Sequence, residues 1–498
     1  MKNTCVLVFF AAPLSIGSGL LFALLLNSNI RFKPFFQSVY FLPFVTSMVA
    51  VSIVWSWMLN KDYGLVNGVI RFFGGKKIAW MTDRHMTMPI LVALCIWKGL
   101  GYRIIIFLAA LQGIDKRYYS AARVDGARTM NRFWHVTIPM LKPILIFLSI
   151  TTVIGCFKTF DEVYVMYNHK PGPSRSGLTI VYYIFNKFYE HWEFSIAAAA
   201  AFFLFLLICN YTAAVSAVQK EEIMGLKKRA ARAGGYCILL AGAAFVLLPF
   251  VWMLLTSLKP SREVLMMPPK CFPSVIMWEN YVDAYRAAPF AVYFFNSAIV
   301  SLAITAGELV TTILAAYAFS QMDFKGRDAL FMLLVATMMV PGEILIIPNY
   351  VTLADLGWIN TYKALILPWC ASVFSIFLLK QQFSSIPAAY YKAARIDGCR
   401  RFRYLITVMV PMSKPTIVAI ALLKLINSWN SYMWPLIVTN TNEMRTLPVA
   451  LAAFSTEAGV QYNTLMAFSL MIISPILLVY FFARKYIIRG VSSAGLKG

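Results

Sequence analysis

The segment Tyr118–Pro143, YYSAARVDGARTMNRFWHVTIPMLKP, lies between two long apolar runs, and Tyr390–Pro415, YYKAARIDGCRRFRYLITVMVPMSKP, repeats it 272 residues later. Aligned without gaps, the two are identical at 13 of 26 positions. Read as a helix, Tyr118, Ala121, Ala122 and Asp125 fall at i, i+3, i+4 and i+7, on one face. The two alanines keep that face flat, so another surface can approach closely. Gly126 follows where a helix needs a left-handed residue to stop, and Pro139 and Pro143 mark the return to apolar sequence. Tyr390, Ala393, Ala394, Asp397, Gly398, Pro411 and Pro415 repeat every element. A solvated run of charge needs none of this order. A docking helix explains it.

The flanking runs fix the class. The chain of 498 residues is 60% hydrophobic and only 13% charged, with mean hydropathy +0.69. Soluble domains carry about a quarter charged residues, so this is a polytopic membrane protein. The net charge of +24 is concentrated in loops, and no basic stripe carries the interleaved aromatics of a nucleic-acid groove. The eight cysteines are scattered and form no C-x-x-C, and the four histidines show no ligand spacing, so no metal site is expected.

Eleven segments are long and apolar enough to cross a bilayer: 4–26, 36–58, 88–111, 143–165, 196–218, 235–257, 291–319, 329–349, 364–386, 416–438 and 463–484. The expected fold class is an all-α polytopic membrane protein of about 11 transmembrane helices. Loop 116–142 has six basic residues against Asp125, loop 388–414 has six against Asp397, and 219–232 has five against two acids. The positive-inside rule makes all three cytoplasmic, together with the C-terminus. Loop 60–87 carries five basic residues and yet must lie outside by parity, as must Met1.

The duplication extends beyond the loop. Asn3-Thr4 and Asn296-Ser297 each open a span, and Phe32-Lys33 and Phe324-Lys325 occupy the loops that follow. The matching loops share a side, so the two halves are parallel repeats. The expected division is a first unit 1–218, a charged linker 219–234 and a second unit 235–498 with one extra N-terminal span.

These repeated loops resemble the E-A-A-x3-G-x9-I-x-L-P loop of binding-protein-dependent ABC importer permeases. The match runs through Ser120-Ala121-Ala122, Gly126, Val136 and Ile138-Pro139, and again through Lys392-Ala393-Ala394, Gly398, Val408 and Val410-Pro411. AARVDGA, AARIDGC, AAYAFSQMDFKGRDALF (315–331), SWNSYMWPLIV (428–438) and PGPSRSGLTIVYYIF (171–185) look like the oligosaccharide and glycerol-phosphate branch. The resemblance covers nearly the whole chain, each half resembling a separate subunit. It implies a type I importer core in a bacterial plasma membrane, with coupling helices seated on two cytoplasmic ATPase subunits and an extracytoplasmic solute-binding protein delivering a carbohydrate-type solute. No G-x-x-x-x-G-K-[ST] occurs, so ATP and its Mg would be held by the partners and this chain needs no cofactor. Two departures stand out. Ser120 and Lys392 replace the loop's Glu, and MKNTCVLVFF matches the family at the start of its second span, so the first unit is expected to lack the family's first span.

A candidate solute path follows from polarity inside the spans. Lys424, Asn427, Ser428 and Ser431 share one face, and their counterparts 272 residues earlier are Thr152, Gly155, Cys156 and Thr159. A mid-membrane Lys costs about 2.5–3.5 kcal/mol unless it meets water or a partner. Lys424 therefore faces a path, packs among small residues, or pairs with the intramembrane Glu308. Lys158, Asp161 and Asn430 stand at the outer ends of the same two spans, and the nearby Trp429, Tyr432 and Trp434 read mainly as an interfacial belt. No nucleophile has a base at hand, so no enzymatic site is expected. The rival is an ion-driven secondary carrier. It would need intramembrane carboxylates, of which Glu308 is the one convincing case, with Ser15 or Ile16 at the matching first-half position.

Overall fold

Helices account for all the regular structure among the residues that the computed structural model describes, which are 1–28, 30–217, 232–266, 268–339, 345–457 and 461–494. In the first half, α1 (Lys2–Asn27) is followed by α2 (Lys33–Val45) and α3 (Met48–Met58). α4 (Leu65–Phe72) lies in the next loop, and α5 (Thr87–Gly113) is a single long helix. The duplicated loop forms α6 (Lys116–Val124) and α7 (Thr129–Arg132), with a π-helical turn, 133–137, leading into α8 (Ile138–Phe157). α9 (Asp161–Met166), α10 (Ile180–Phe185) and α11 (Phe194–Ala217) complete the half.

The second half opens with α12 (Arg232–Ser257), then α13 (Ser261–Val264) and α14 (Glu279–Ala287). α15 (Phe290–Gln321) is the counterpart of α1, and α16 (Arg327–Ala336) and α17 (Ile346–Asp355) follow it. α18 (Tyr362–Ile366) and α19 (Val373–Ser384) together match α5. The loop forms α20 (Ala388–Ile396) and α21 (Arg401–Tyr404), and a π-helical turn, 405–409, leads to α22 (Val410–Met412) and α23 (Lys414–Trp429). α24 (Met433–Val438), α25 (Leu447–Glu457) and α26 (Tyr462–Ala494) end the chain.

The repeat holds at the level of single residues. α6 and α20, α7 and α21, the two π-helical turns, and α9 and α24 have the same boundaries displaced by 272. Asn3 Nδ2 donates to the carbonyls of Arg175 and Leu178, and Asn296 Nδ2 donates to those of Glu443 and Arg445. Thr4 Oγ1 accepts from Ile180 N, and Ser297 Oγ accepts from Leu447 N. Each half thus clips a later loop to the start of its leading helix, at an offset of 293. One expected pairing shifts. The left-handed residue that starts the next helix is Phe32 (φ 61) in one half and Gly326 (φ 81) in the other, so Phe32 matches Gly326 rather than Phe324.

Among the described residues, seven helices are long and apolar enough to cross a membrane, or ten if each of three bent helix pairs counts as one span. The eleventh expected span, 329–349, includes 340–344, which lie outside the described residues. Four expected spans are not single rods, among them 364–386, which is split into α18 and α19 with a bend of 41°. α2 and α3 meet at 97°, because Pro43 lacks an amide hydrogen and Thr46 and Ser47 run extended. The freed carbonyls find donors: Lys98 Nζ reaches Pro43 and Thr46, and Asn430 Nδ2 reaches Val45 at 2.6 Å. The expected spans 143–165 and 416–438 end early, at Phe157 and Trp429, and restart as α9 and α24. The halves also differ in stiffness. Met130–Phe157 is one helix, whereas its counterpart turns by 79° between Met412 and Lys414.

The extra span braces the opposite half. α12 packs on α2 and α3 as well as on α26: Tyr40 Oη donates to Leu239 O at 2.6 Å, and Trp57 stacks on Trp252 at 5.1 Å. Gly242 lets the helices close up, since a Cβ there would meet the Phe22 ring at 2.7 Å. Most of the expected linker 219–234 lies outside the described residues, with α12 beginning at Arg232.

Candidate functional site

The facing surfaces of α8 and α23 open onto a cavity of about 710 Å³ between the halves. α23 presents Lys424, Asn427, Ser428 and Ser431 to it, one helical face extended past the helix end. α8 contributes Thr151 and Gly155, α15 contributes Ser297 and Glu308, and the α18–α19 region contributes Trp369 and Ser375. Trp369 and Trp434 meet edge to face, 5.9 Å apart, and supply the aromatic wall.

A second cavity of about 310 Å³ shares Phe44, Tyr102, Thr151, Gly155 and Asn427 with the first, so the two are lobes of one space. α5 lines this lobe with Cys95, Lys98, Gly99, Tyr102 and Arg103, and α8 with Thr152 and Cys156, followed by Thr159 just past its end. Both sets have the i, i+3/i+4, i+7/i+8 spacing of one helix face. Glu162 and Asn430 close the lobe.

Each lobe holds a buried cation, but differently. In the second half, Lys424 Nζ lies 2.6 Å from Glu308 Oε2, and Ser375 Oγ donates to Glu308 Oε1 at 2.7 Å. Glu308 is 2% exposed. In the first half, the residue matching Lys424 is Thr152 and the residue matching Ser375 is Arg103. Arg103 Nε donates to Thr152 Oγ1 at 3.1 Å. At the clip's offset of 293, the residue matching Glu308 is Ser15. That acid is missing there, so the two lobes are related in backbone and differ in how their basic side chains are partnered.

The duplicated loops are near copies. α6 ends at Asp125 and α20 at Asp397, and Gly126 and Gly398 both have φ 72, the left-handed turn that stops each helix. Ala121 and Ala393 are exposed, and Ala122 and Ala394 are half-buried. Val124 is 87% exposed and Ile396 85%, so each loop carries an apolar knob at the same place. Tyr119 Oη bonds Thr137 Oγ1 at 3.0 Å, seating α6 on the π-helical turn behind it, and Tyr391 packs edge to face on Tyr404, seating α20 on the end of α21. Pro139 and Pro411 lie within the first turn of the helices that lead away.

The structure gathers most of the path residues read from sequence. Lys424, Asn427, Ser428 and Ser431 line the larger lobe, and Thr152, Thr159, Asn427 and Asn430 the smaller. Lys158 and Asp161 lie outside both lining sets. Asn430 spends its amide on Val45, and Lys424 both lines the space and pairs with Glu308. Trp429 and Tyr432 are buried rather than interfacial, with Trp429 Nε1 donating to Ile472 O. Sequence reasoning missed Lys98, Arg103, Glu162 and Ser375. A Lys and an Arg five residues apart inside an apolar run were the available signal. It also missed Val124 and Ile396, whose exposure is set by tertiary structure.

The family described as binding-protein-dependent transport system inner membrane component matches residues 15–220 and 308–493. An arabinooligosaccharides transport system permease protein of Halalkalibacterium halodurans is 34% identical over 268 residues, 52% of this chain and 96% of its own length. An sn-glycerol-3-phosphate transport system permease protein of Rhizobium meliloti is 32% identical over 266 residues, 52% of this chain and 94% of that one. A lactose transport system permease protein of Rhizobium radiobacter is 37% identical over 212 residues, 42% of this chain and 71% of that one. A solved bacterial ABC transporter involved in the import of the acidic polysaccharide alginate is 24% identical, covers 53% of this chain and 99% of that chain, and superposes with a TM-score of 0.47.

Proposed function

Since the chain belongs to the family of binding-protein-dependent transport system inner membrane components, we propose that its two halves enclose the solute path of one ATP-driven importer, with α6 and α20 as the handles for two cytoplasmic ATPase subunits. The chain is a multi-pass membrane permease of the ABC importer class and not an enzyme. Its solute is of the carbohydrate type, in line with relatives that carry arabinooligosaccharides, sn-glycerol 3-phosphate and lactose. An extracytoplasmic binding protein delivers that solute to the face opposite the docking loops. The docking loops and the C-terminus lie in the cytoplasm, and the membrane is the bacterial inner membrane. ATP and Mg bind the partner subunits, and the chain itself holds no cofactor.

The observation that carries this reading is the docking loop made twice to one plan. Val124 and Ile396 stand out beside flat alanine faces, and Gly126 and Gly398 turn the chain identically. An apolar knob held on a short rigid helix fits a groove on another protein. ATP binding that draws two ATPases together moves both handles at once. The coupling requires only that the outward- and inward-facing arrangements hold the ATPase dimer with different affinity. Ser120 and Lys392 occupy the place of the usual Glu, so the knob and the alanines carry the contact.

The test is reconstitution in proteoliposomes with candidate ATPase subunits and a candidate solute-binding protein. Uptake should require ATP and the binding protein. Uptake driven by a proton or sodium gradient without ATP would overturn the reading in favour of a secondary carrier.

A further inference from the structure

Cysteines far apart in the sequence meet in the fold: Cys95 of α5 lies against Cys156 of α8. Their thiols share a hydrogen bond, and the Thr159 hydroxyl bonds Cys95 Sγ. The neighbouring contact sets the register. Arg103 Nε meets Thr152 Oγ1, Cys95 lies about two turns before Arg103, and Cys156 about one turn after Thr152. The two helices run antiparallel here, so both cysteines fall on the same side of that contact. Between Cys95 and Arg103 stands Gly99, which has no side chain to hold the sulfurs apart, and the Arg103 guanidinium fills the place where its Cβ would be.

The two thiols differ in access. Both line the smaller lobe, but Cys95 is half-buried and Cys156 is only 4% exposed. Elsewhere in the chain, the thiols of Cys370 and Cys399 bond the carbonyls of Ile366 and Arg400, while Cys5 and Cys271 are exposed. The second half has Leu367 and Ser428 at the positions matching Cys95 and Cys156, so the pair belongs to one half.

We infer that Cys95 and Cys156 are a redox-active dithiol, which a small-molecule disulfide converts to an intramolecular disulfide pinning α5 to α8. Cys95, the more accessible, reacts first: its sulfur bonds one sulfur of the reagent, the reagent's S–S bond breaks, and one thiol leaves. Cys156 Sγ then bonds Cys95 Sγ, the mixed disulfide breaks, and the second thiol leaves. The two protein thiols are oxidised, the reagent is reduced to two thiols, and these carry off both protons. A hydrogen-bonded partner puts the resolving sulfur in place, so the bond needs side-chain rotation and little movement of either helix. The pair lies toward the ends of α5 and α8 that are far from α6 and α7. The proposed topology puts those ends outside, where disulfides persist. A bond there ties together two walls of the smaller lobe, and a lobe of fixed shape cannot follow the change between outward- and inward-facing arrangements. That consequence rests on the importer reading; the thiol chemistry does not.

The purified full-length chain in lipid nanodiscs, treated with excess hydroxyethyl disulfide and mapped by mass spectrometry, tests the chemistry. Cys95 and Cys156 should emerge joined, lighter by their thiol hydrogens and free of reagent, while the exposed Cys5 and Cys271 emerge as mixed disulfides. Cys156→Ala should trap the reagent on Cys95, and Cys95→Ala should leave Cys156 reduced. Reagent retained on Cys95 in the parent, both thiols unmodified, or Cys156 modified in Cys95→Ala would overturn the assignment. In the reconstituted transporter, oxidation should abolish uptake by the parent and dithiothreitol should restore it. In Cys95→Ala the ratio of oxidised to reduced uptake should stay near one, whatever its basal level. Undiminished uptake by the cross-linked chain would overturn the pinning. A transporter with no ATP-driven uptake before oxidation would count against the importer reading alone, and the mass measurements would still decide the thiol pair.

Discussion

Removing one member of the Lys424–Glu308 pair should cost far more than removing both. The two side chains are 17% and 2% exposed and meet at 2.6 Å, so neither is screened by bulk water. Lys424→Met leaves the Glu308 carboxylate buried, with Ser375 as its remaining donor. Stranding one charge of a buried pair costs about 3–5 kcal/mol. The double variant Lys424→Met/Glu308→Gln strands nothing, keeps a hydrogen-bonding partner for Ser375, and should lie within about 1–2 kcal/mol of the parent. The cycle therefore predicts a coupling energy of about 3 kcal/mol or more, where uncoupled sites add to within about 0.5 kcal/mol. The assay is reversible unfolding of the purified chain in mixed micelles, followed by far-UV circular dichroism as denaturing detergent is raised. Additive losses would refute the pairing and with it the account of the larger lobe as internally neutral. Transport refines the result: if Lys424→Met alters solute affinity and the double variant restores it, the pair acts through charge balance rather than by direct contact.

Three further outcomes follow from the geometry. Gly126→Val and Gly398→Val force a β-branched residue to φ 72, at about 1–2 kcal/mol each; in the reconstituted transporter the double variant should hydrolyse ATP without uptake, and normal uptake would defeat the docking assignment. Asn296→Ala removes two hydrogen bonds, of 2.7 and 3.0 Å, to the carbonyls of Glu443 and Arg445; hydrogen exchange over 443–447 should rise roughly tenfold or more while 175–180, held by Asn3, is unchanged. In the loop after α12, the Ser274 hydroxyl and backbone N–H, with Lys270 beside them, hold the Glu263 carboxyl down to about 2. A depressed carboxylate contributes stability above its unfolded value, near 4.5, that is lost as pH falls toward about 2. Thermal melts of the parent and Glu263→Gln should therefore differ most above pH 4.5 and converge below it; a gap independent of pH would count against the assignment.

Much of this architecture was legible in the sequence because the repeat and the membrane impose strong patterns. Two copies of a loop in register, with identical Gly and Pro positions, marked where α6 and α20 end. What escaped was continuity. Hydropathy registers whether a segment is apolar and says little about whether its backbone is one rod, so the breaks after Val45, Phe157 and Trp429 were invisible. Each break is tolerated because a distant donor or a restarted helix takes over, as Lys98 and Asn430 do for the carbonyls of Val45, Pro43 and Thr46. The partnering of basic side chains in the lobes escaped for a related reason. Arg103 and Thr152, like Ser375 and Lys424, acquire meaning only when α5 and α8 are laid side by side with their counterparts. Glu308 was visible as an acid within a span, and Ser15 as its neutral counterpart, before either had a partner.

The unlike lobes bear on subunit stoichiometry. Two copies of the first half assembled with each other would carry two Arg103–Thr152 contacts and no Lys424–Glu308 pair. Two copies of the second would carry that pair twice. Neither is equivalent to the pairing seen here, in which each contact stands once. Translation as a single polypeptide removes that choice from assembly: every chain carries one of each half, and no sorting between like and unlike halves is needed in the membrane.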